Sequence, residues 1–174
     1  MAPEALPHLT DGDLTVRPAA PSDLEGMRRL FEDPSVERWW GAHDDERLRH
    51  RLDRDDVLGF LVEQDGRVVG WIQVSEENSP AYRHAGIDIA TAAEVHGTGV
   101  GVRALCLVRD WLVGPRGHHR LTIDPAASNE RAIAAYRKAG FTDVGVMRAY
   151  ERTADGSFHD ALLMEYVVGV PDAG

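Results

Sequence analysis

A chain of 174 residues with 43% hydrophobic and 28% charged content suits one globular domain with a sizeable core and leaves little room for a second. A formal net charge of −10 excludes the basic footprint of a nucleic-acid binder and suits cationic small-molecule partners. The one cysteine, Cys106, allows no internal disulfide and agrees with a reducing cytoplasm; no leader-like start and no bilayer-length apolar run stands out.

Residues 1–11 read as a loose lead-in, 12–169 as a single domain and 170–174 as a tail. Leu14 and Val16 alternate with polar residues as a first strand that ends at Arg17-Pro18. Ser22 to Glu25 has the Ser-x-x-Glu form of a capping box, ahead of a helix that turns Leu24, Met27, Leu30 and Phe31 to one face. Asp33-Pro34 stops that helix. A loop with the adjacent Trp39 and Trp40 and the acids Asp44, Asp45 and Glu46 leads into an arginine-rich helix up to about Asp55. Val57 to Gln64 and Arg67 to Val74 form two strands joined by Asp65-Gly66, a strong hairpin signal, so the pair is expected to be antiparallel. After the polar loop 75–82, Ala85 to Ala90 reads as a strand ending near Asp88.

Gly97, Gly99 and Gly101 then alternate with Thr98 and Val100, before Val102, Leu105, Val108 and Leu112 recur at helical spacing. Glycines permit close backbone approach, and a helix start offers unpaired N–H groups with a partial positive charge, so such a loop can hold a pyrophosphate. The spacing fits neither a dinucleotide fingerprint, whose third glycine comes three residues after the second, nor a nucleotide-triphosphatase loop, which needs Gly-Lys-Ser/Thr. A tight strand-to-helix turn is the plainer alternative. Leu121 and Ile123 form a short strand ending in Asp124-Pro125. Ser128 or Asn129 then caps a helix that carries Ala132, Ile133 and Tyr136 on one face and ends at Gly140. Val144 to Tyr150 and Ala161 to Val168 read as two last strands around Asp155-Gly156. Hairpins outnumber βαβ units, which favours an α+β fold with a mixed α/β sheet.

Two segments in order, HGTGVG from His96 and NERAIAAYRKAGF from Asn129, resemble the acyl-CoA-binding core of the GNAT superfamily of N-acetyltransferases. The family's loop usually opens with glutamine or arginine, where this chain has His96. Asn129, Ala132, Tyr136, Lys138, Gly140 and Phe141 match the second motif. The resemblance implies a central, mixed, mostly antiparallel sheet flanked by helices, acetyl-CoA as cofactor, and homodimerisation as the family's habit. It implies that the amides of His96, Gly97, Thr98, Gly99, Val100, Gly101 and Val102 hold the pyrophosphate, and that the strand through Ile89 and Ala90 runs beside the pantetheine arm. Asn129 would bond that arm, with Ala132 and Lys138 nearby. Tyr136 would protonate the departing thiolate, although periodicity alone makes it a core aromatic.

An amine attacks only after losing a proton, so a carboxylate or an ordered water is needed near the acetyl group. Asp88 lies in Gly-Ile-Asp, similar to a segment of the aminoglycoside 6′-N-acetyltransferases, and Asp124 is the second candidate; the plainer alternative for each is a cap at a strand end or turn. Trp39-Trp40-Gly41 is also similar to that group. By that resemblance Trp39 and Trp40 wall the acceptor pocket; Asp44, Asp45, Glu46, Glu76 and Glu77 would supply the negative field that a polycationic aminoglycoside prefers, and His159 and Asp160 are placed on the acceptor side of the cleft, the bland alternative for the tryptophans and acids being a pinned loop beside a solvated charge run. The histidines match no standard metal spacing, so no metal is expected. The expectation is a cytoplasmic acetyltransferase acting on a small-molecule amine, with no nucleic acid or membrane partner. A protein N-terminal or ribosomal-protein acetyltransferase is the enzymatic alternative, and a CoA-binding sensor the non-enzymatic one.

Overall fold

The computed structural model describes residues 5–169. In chain order these form β1 (Leu9–Asp11), β2 (Leu14–Pro18), a 3-10 turn (Pro21–Asp23), α1 (Leu24–Phe31), α2 (Pro34–Trp40), α3 (Asp45–Asp53), β3 (Leu58–Gln64), β4 (Arg67–Glu77) and β5 (His84–Thr91). A second 3-10 turn (Ala93–Val95), α4 (Val100–Val113), β6 (Arg120–Ile123), α5 (Glu130–Lys138), β7 (Thr142–Arg152) and β8 (Phe158–Val167) follow. The strands form one mixed sheet in the order β1-β2-β3-β4-β5-β6-β8-β7. β5 and β6 are parallel, whereas β1–β2, β2–β3, β3–β4, β6–β8 and β7–β8 are antiparallel. This is the mixed, mostly antiparallel sheet that the sequence leads one to expect. No helix among the described residues is long and apolar enough to cross a membrane.

The chain gathers into two units, Met1–Ser75 with Ile89–Val108 and Glu76–Asp88 with Arg109–Gly174. In the first, Met27, Leu30 and Phe31 of α1 pack with Val36, Leu48, Leu61, Trp71 and Ala90. Trp71 is wholly buried, and Gly59 makes room for it, since a Cβ there would meet the indole Cη2 at 2.5 Å. The β3–β4 turn is the one expected: Asp65 and Gly66 both take positive φ, 49° and 75°, as the tight hairpin requires.

Several expectations for this unit are corrected. Residues 9–11, placed in the lead-in, pair with β2 around Gly12, because Arg103 grips Asp11 and Asp13 at 2.7 and 3.0 Å. The capping group before α1 is not Ser22 but Asp23, whose carboxylate accepts from the Ala20 N–H at 2.8 Å and pairs with Arg17. Asp33-Pro34 ends α1 and also starts α2: Asp33 accepts from the Ser35 N–H at 2.8 Å, and proline suits a first helical position that needs no donor. Trp39 and Trp40 therefore lie on a helix rather than in a loop.

In the second unit α5 is capped by Asn129, not Ser128: its Oδ1 accepts from the Ala132 N–H at 3.2 Å. Ile133, Tyr136 and Ala139 face inward with Leu121, Ile123, Phe141, Leu162 and Met164. Gly140 takes φ 92° after the helix. β7 and β8 are longer than expected and are interrupted by two register shifts, the second between Met147 and Glu151. β5 runs to Thr91, past Asp88. The expected tail at 170–174 lies outside the described residues.

Candidate active site

The glycine loop belongs to the first unit. Gly97 and Gly99 adopt φ values of 77° and 88°, and a Cβ at either would meet no protein atom within 4 Å. Both face open space, in a conformation that L side chains rarely adopt. The loop leads into α4, whose first turn carries no acid to repel an anion. An exposed, glycine-bent backbone at the start of a fourteen-residue helix fits a pyrophosphate. Thr98 is exposed and bends back on its own loop, its hydroxyl donating to the Val95 carbonyl at 2.7 Å. His96 turns inward, its Nε2–H donating to the Thr91 carbonyl at 3.0 Å, and so ties the loop to the end of β5. Gly101 is close to Thr91, with 3.5 Å from an ideal Cβ to the threonine Cγ2. The side chain of Ala90 is buried in the core, and Ile89 and Val102 are half-buried, so Ala90 offers a ligand its backbone alone.

The second unit carries the candidate reacting groups. β5 and β6 pair in parallel at Ala85–Leu121 and Gly86–Thr122; Asp88 lies two residues beyond the last pair within β5, and Asp124 two residues beyond it, just past the end of β6. Tyr136 of α5 is buried, and its phenol is driven well above the usual tyrosine range, first by burial, then by the charge of Asp88, with a smaller push from Asp124. A phenol held protonated in this way is a proton donor at neutral pH. Asn129, whose carbonyl oxygen serves the cap, keeps two N–H donors on its amide. Ala132 gives its N–H to that cap, and Lys138 is exposed in the last turn of α5. Cys106 lies inside α4 and is half-buried.

Tyr150, which carries no motif in the sequence, joins the same acidic pair. Its phenol is pushed up to about 12, first by interaction with the Asp124 carboxylate, then by partial burial and the charges of Asp124, Asp88 and Glu151. Only its place among alternating residues near Asp155-Gly156 hinted at an outward-facing aromatic.

Most of the expected acceptor acids have other partners. The carboxylate of Glu76 is almost wholly buried and takes Arg116 at 2.5 Å and the His118 Nε2–H at 2.7 Å, so it is not presented to an acceptor. Burial alone would raise Glu76, but the hydrogen bonds from Arg116 and His118 outweigh it and hold the carboxyl below the usual glutamate range. Glu77 accepts from the Ser79 N–H in its own turn, and Asp44 caps α3 through the Arg47 N–H. Trp40 meets Phe31 edge-on at 5.7 Å and lies under the Arg51 guanidinium at 5.1 Å, which commits it to the packing of the first unit. Trp39 carries Arg38 over its ring at 4.9 Å. His159 pairs with Glu151 at 2.9 Å, and Asp160 accepts from the Ala149 N–H at 2.8 Å.

The sequence pattern of the acetyltransferase (GNAT) domain matches residues 13–142. Spermidine N(1)-acetyltransferase of Escherichia coli (strain K12) is 29% identical over 157 residues, 86% of this chain and 83% of the relative. Aminoglycoside N(6′)-acetyltransferase type 1 of Klebsiella pneumoniae is 24% identical over 160 residues, 79% of this chain and 78% of the relative. Among solved structures, the ribosomal-protein-S5-alanine acetyltransferase from Vibrio fischeri superposes with a TM-score of 0.82 at 17% identity, covering 93% of this chain and 97% of the other. With the family pattern spanning the glycine loop, Asn129 and Tyr136, the chain belongs to the GNAT acetyltransferases, enzymes that take their acetyl group from acetyl-CoA.

Proposed function

We propose that this acetyl-CoA-dependent N-acetyltransferase acetylates a primary amine on a polycationic small molecule by direct attack, with aminoglycosides as the first acceptor class. The observation that carries the reading is the pair Asp88 and Asp124, two carboxylates that both act on the buried phenol of Tyr136 and on Tyr150. Two anions beside a protonated phenol can receive an ammonium, take its proton and return one to a leaving group. The 29% identity to a spermidine acetyltransferase favours polyamines as a second acceptor class. The single Cys106 and the −10 charge suit a cytoplasmic enzyme with a cationic substrate.

Acetyl-CoA supplies a thioester whose carbonyl an amine can attack. The backbone of Gly97 to Gly101 and the start of α4 hold the pyrophosphate, and the amide of Asn129 orients the arm. Asp88 accepts the proton that the acceptor ammonium must lose, directly or through a water, and Asp124 adds negative charge for the cation. Tyr136 gives its phenol proton to the departing sulfur. Cys106, remote in sequence from the loop and within α4, takes no covalent part, so Cys106→Ala should keep its turnover.

The test is release of free CoA with a panel of aminoglycosides, spermidine and peptides with free amino termini. Turnover of aminoglycosides or spermidine ahead of peptides supports the reading. Peptides turning over best would reject the polycationic acceptor.

A further inference from the structure

In the second unit β7 departs from its partner between Met147 and Glu151. Met147 faces Ala161 and Glu151 faces His159, so Arg148, Ala149 and Tyr150 stand opposite the single residue Asp160. At the crest, Ala149 takes φ 49°, the left-handed region that an alanine enters at a cost of about 1–2 kcal/mol. A conformation of that kind persists only where its surroundings enforce it. Here the enforcing group is the Asp160 carboxylate, which accepts the Ala149 N–H at 2.8 Å. Asp160 has a second task, its backbone carbonyl accepting the Ala127 N–H at 2.8 Å, while Leu162 donates to the Pro125 carbonyl at 2.9 Å. One residue thus holds both the segment that follows Asp124 and the bulge that carries Tyr150.

We propose that Asp160 is a positioning residue for the acceptor: by pinning the bulge at Ala149 it sets the Tyr150 hydroxyl against Asp124 beside Asp88, making Tyr150 a contact for the cationic amine. The proposal rests on the reading of Asp88, Asp124 and Tyr136 as the reacting end. Tyr150 is 52% exposed, so its ring offers a face to an ammonium while its hydroxyl orients the carboxylate that would receive the same charge. Aromatic face and oriented anion together select a primary amine that is cationic in solution.

Two readouts separate this proposal from the reading beneath it. The first needs no turnover: Cζ-labelled tyrosines are titrated by carbon NMR, with Tyr150 identified by its absence in Tyr150→Phe. The wild-type phenol, pushed up to about 12 by Asp124, partial burial, Asp88 and Glu151, should titrate above the ordinary tyrosine range. In Asp160→Ala it should fall toward the ordinary value of about 10. Asp160→Asn, whose amide oxygen still accepts the Ala149 N–H, should keep the wild-type value. The second readout is the calorimetric Kd for spermidine and for ribostamycin, expected to weaken by about tenfold in Asp160→Ala and about threefold in Tyr150→Phe. The Kd for CoA should not move in either. Tyr150→Phe, at an exposed position, carries the binding test should Asp160→Ala not fold. An unmoved Tyr150 titration in Asp160→Ala, or unchanged amine binding in Tyr150→Phe, overturns the proposal. Full turnover in Asp88→Asn and Tyr136→Phe would instead strike the reading of the reacting end.

Discussion

On the proposed reading Tyr136 concentrates two demands in one side chain, since it is buried to pack α5 and must be protonated to serve as a donor. Burial and the neighbouring charge of Asp88 meet both, because each disfavours the phenolate. Tyr136→Phe keeps the packing and removes only the proton, so kcat should fall by about 100-fold with KM nearly unchanged. An unaltered kcat would reject the assignment. The direction of the shift also fixes a pH expectation. A raised phenol keeps its proton to higher pH, so no loss of kcat below about pH 10 should trace to Tyr136, and Tyr136→Phe should leave the profile's shape there unchanged. Asp88, Asn129 and Tyr136 stand out in the sequence because each belongs to a motif. Tyr150 and Asp160 do not combine there, because their partnership depends on a bulge with a left-handed alanine, which no periodicity announces. Glu76 misleads for the opposite reason: sequence displays its charge but not its burial against Arg116 and His118.

Elements with a local signal were readable from the chain: the Asp65-Gly66 hairpin, α4 and α5 by their apolar spacing, and the last two strands around Asp155-Gly156. The α2 helix was not, because Asp33-Pro34 reads as a stop and serves equally as a start. That difference changes what the tryptophans are for. Trp40 lies against Phe31 and under Arg51, so Trp40→Ala should cost about 2–3 kcal/mol of stability by urea unfolding and leave CoA affinity unchanged. The loop before α4 makes the converse prediction. At Gly99 a Cβ meets no protein atom, so Gly99→Val strains one residue at φ 88° yet spares the core, and calorimetric CoA binding should be lost in a folded protein. Glu76, at the end of β4, supports its own unit through Arg116 and His118. Glu76→Gln leaves both donors facing a neutral oxygen and should cost about 2 kcal/mol at pH 7. Because the folded carboxyl lies below its unfolded value, that stability is present above the ordinary glutamate range and is lost as pH falls through the folded value. Wild type and Glu76→Gln should therefore converge in stability only at a pH below the ordinary glutamate range, once it has fallen through that folded value.

For the whole molecule the governing quantity is a net charge of −10, which acts on a polycation before any contact forms. The arrangement narrows where that charge matters. Asp45 is paired with Arg28 and Arg49, Glu76 with Arg116, and Asp11 and Asp13 with Arg103, so much of the acidic surplus is answered locally. Asp124 acts instead on two phenols, Tyr136 and Tyr150, neutral at pH 7, which can donate but cannot cancel charge. A cationic acceptor should thus feel both a diffuse attraction and a concentrated one, and salt screens the first over about 8–10 Å at 0.1–0.15 M. Raising salt from 0.05 to 0.5 M should accordingly raise KM for spermidine or an aminoglycoside by about tenfold while moving KM for acetyl-CoA, an anion that on the proposed reading binds to backbone amides, far less and without the same sign. Asp124→Asn should flatten the amine's salt dependence without abolishing it, because the distributed charge remains. Equal salt slopes for the two substrates would mean that the acceptor is recognised by shape and hydrogen bonds, and the polycationic class would then give way to neutral-backbone acceptors such as peptide amino termini.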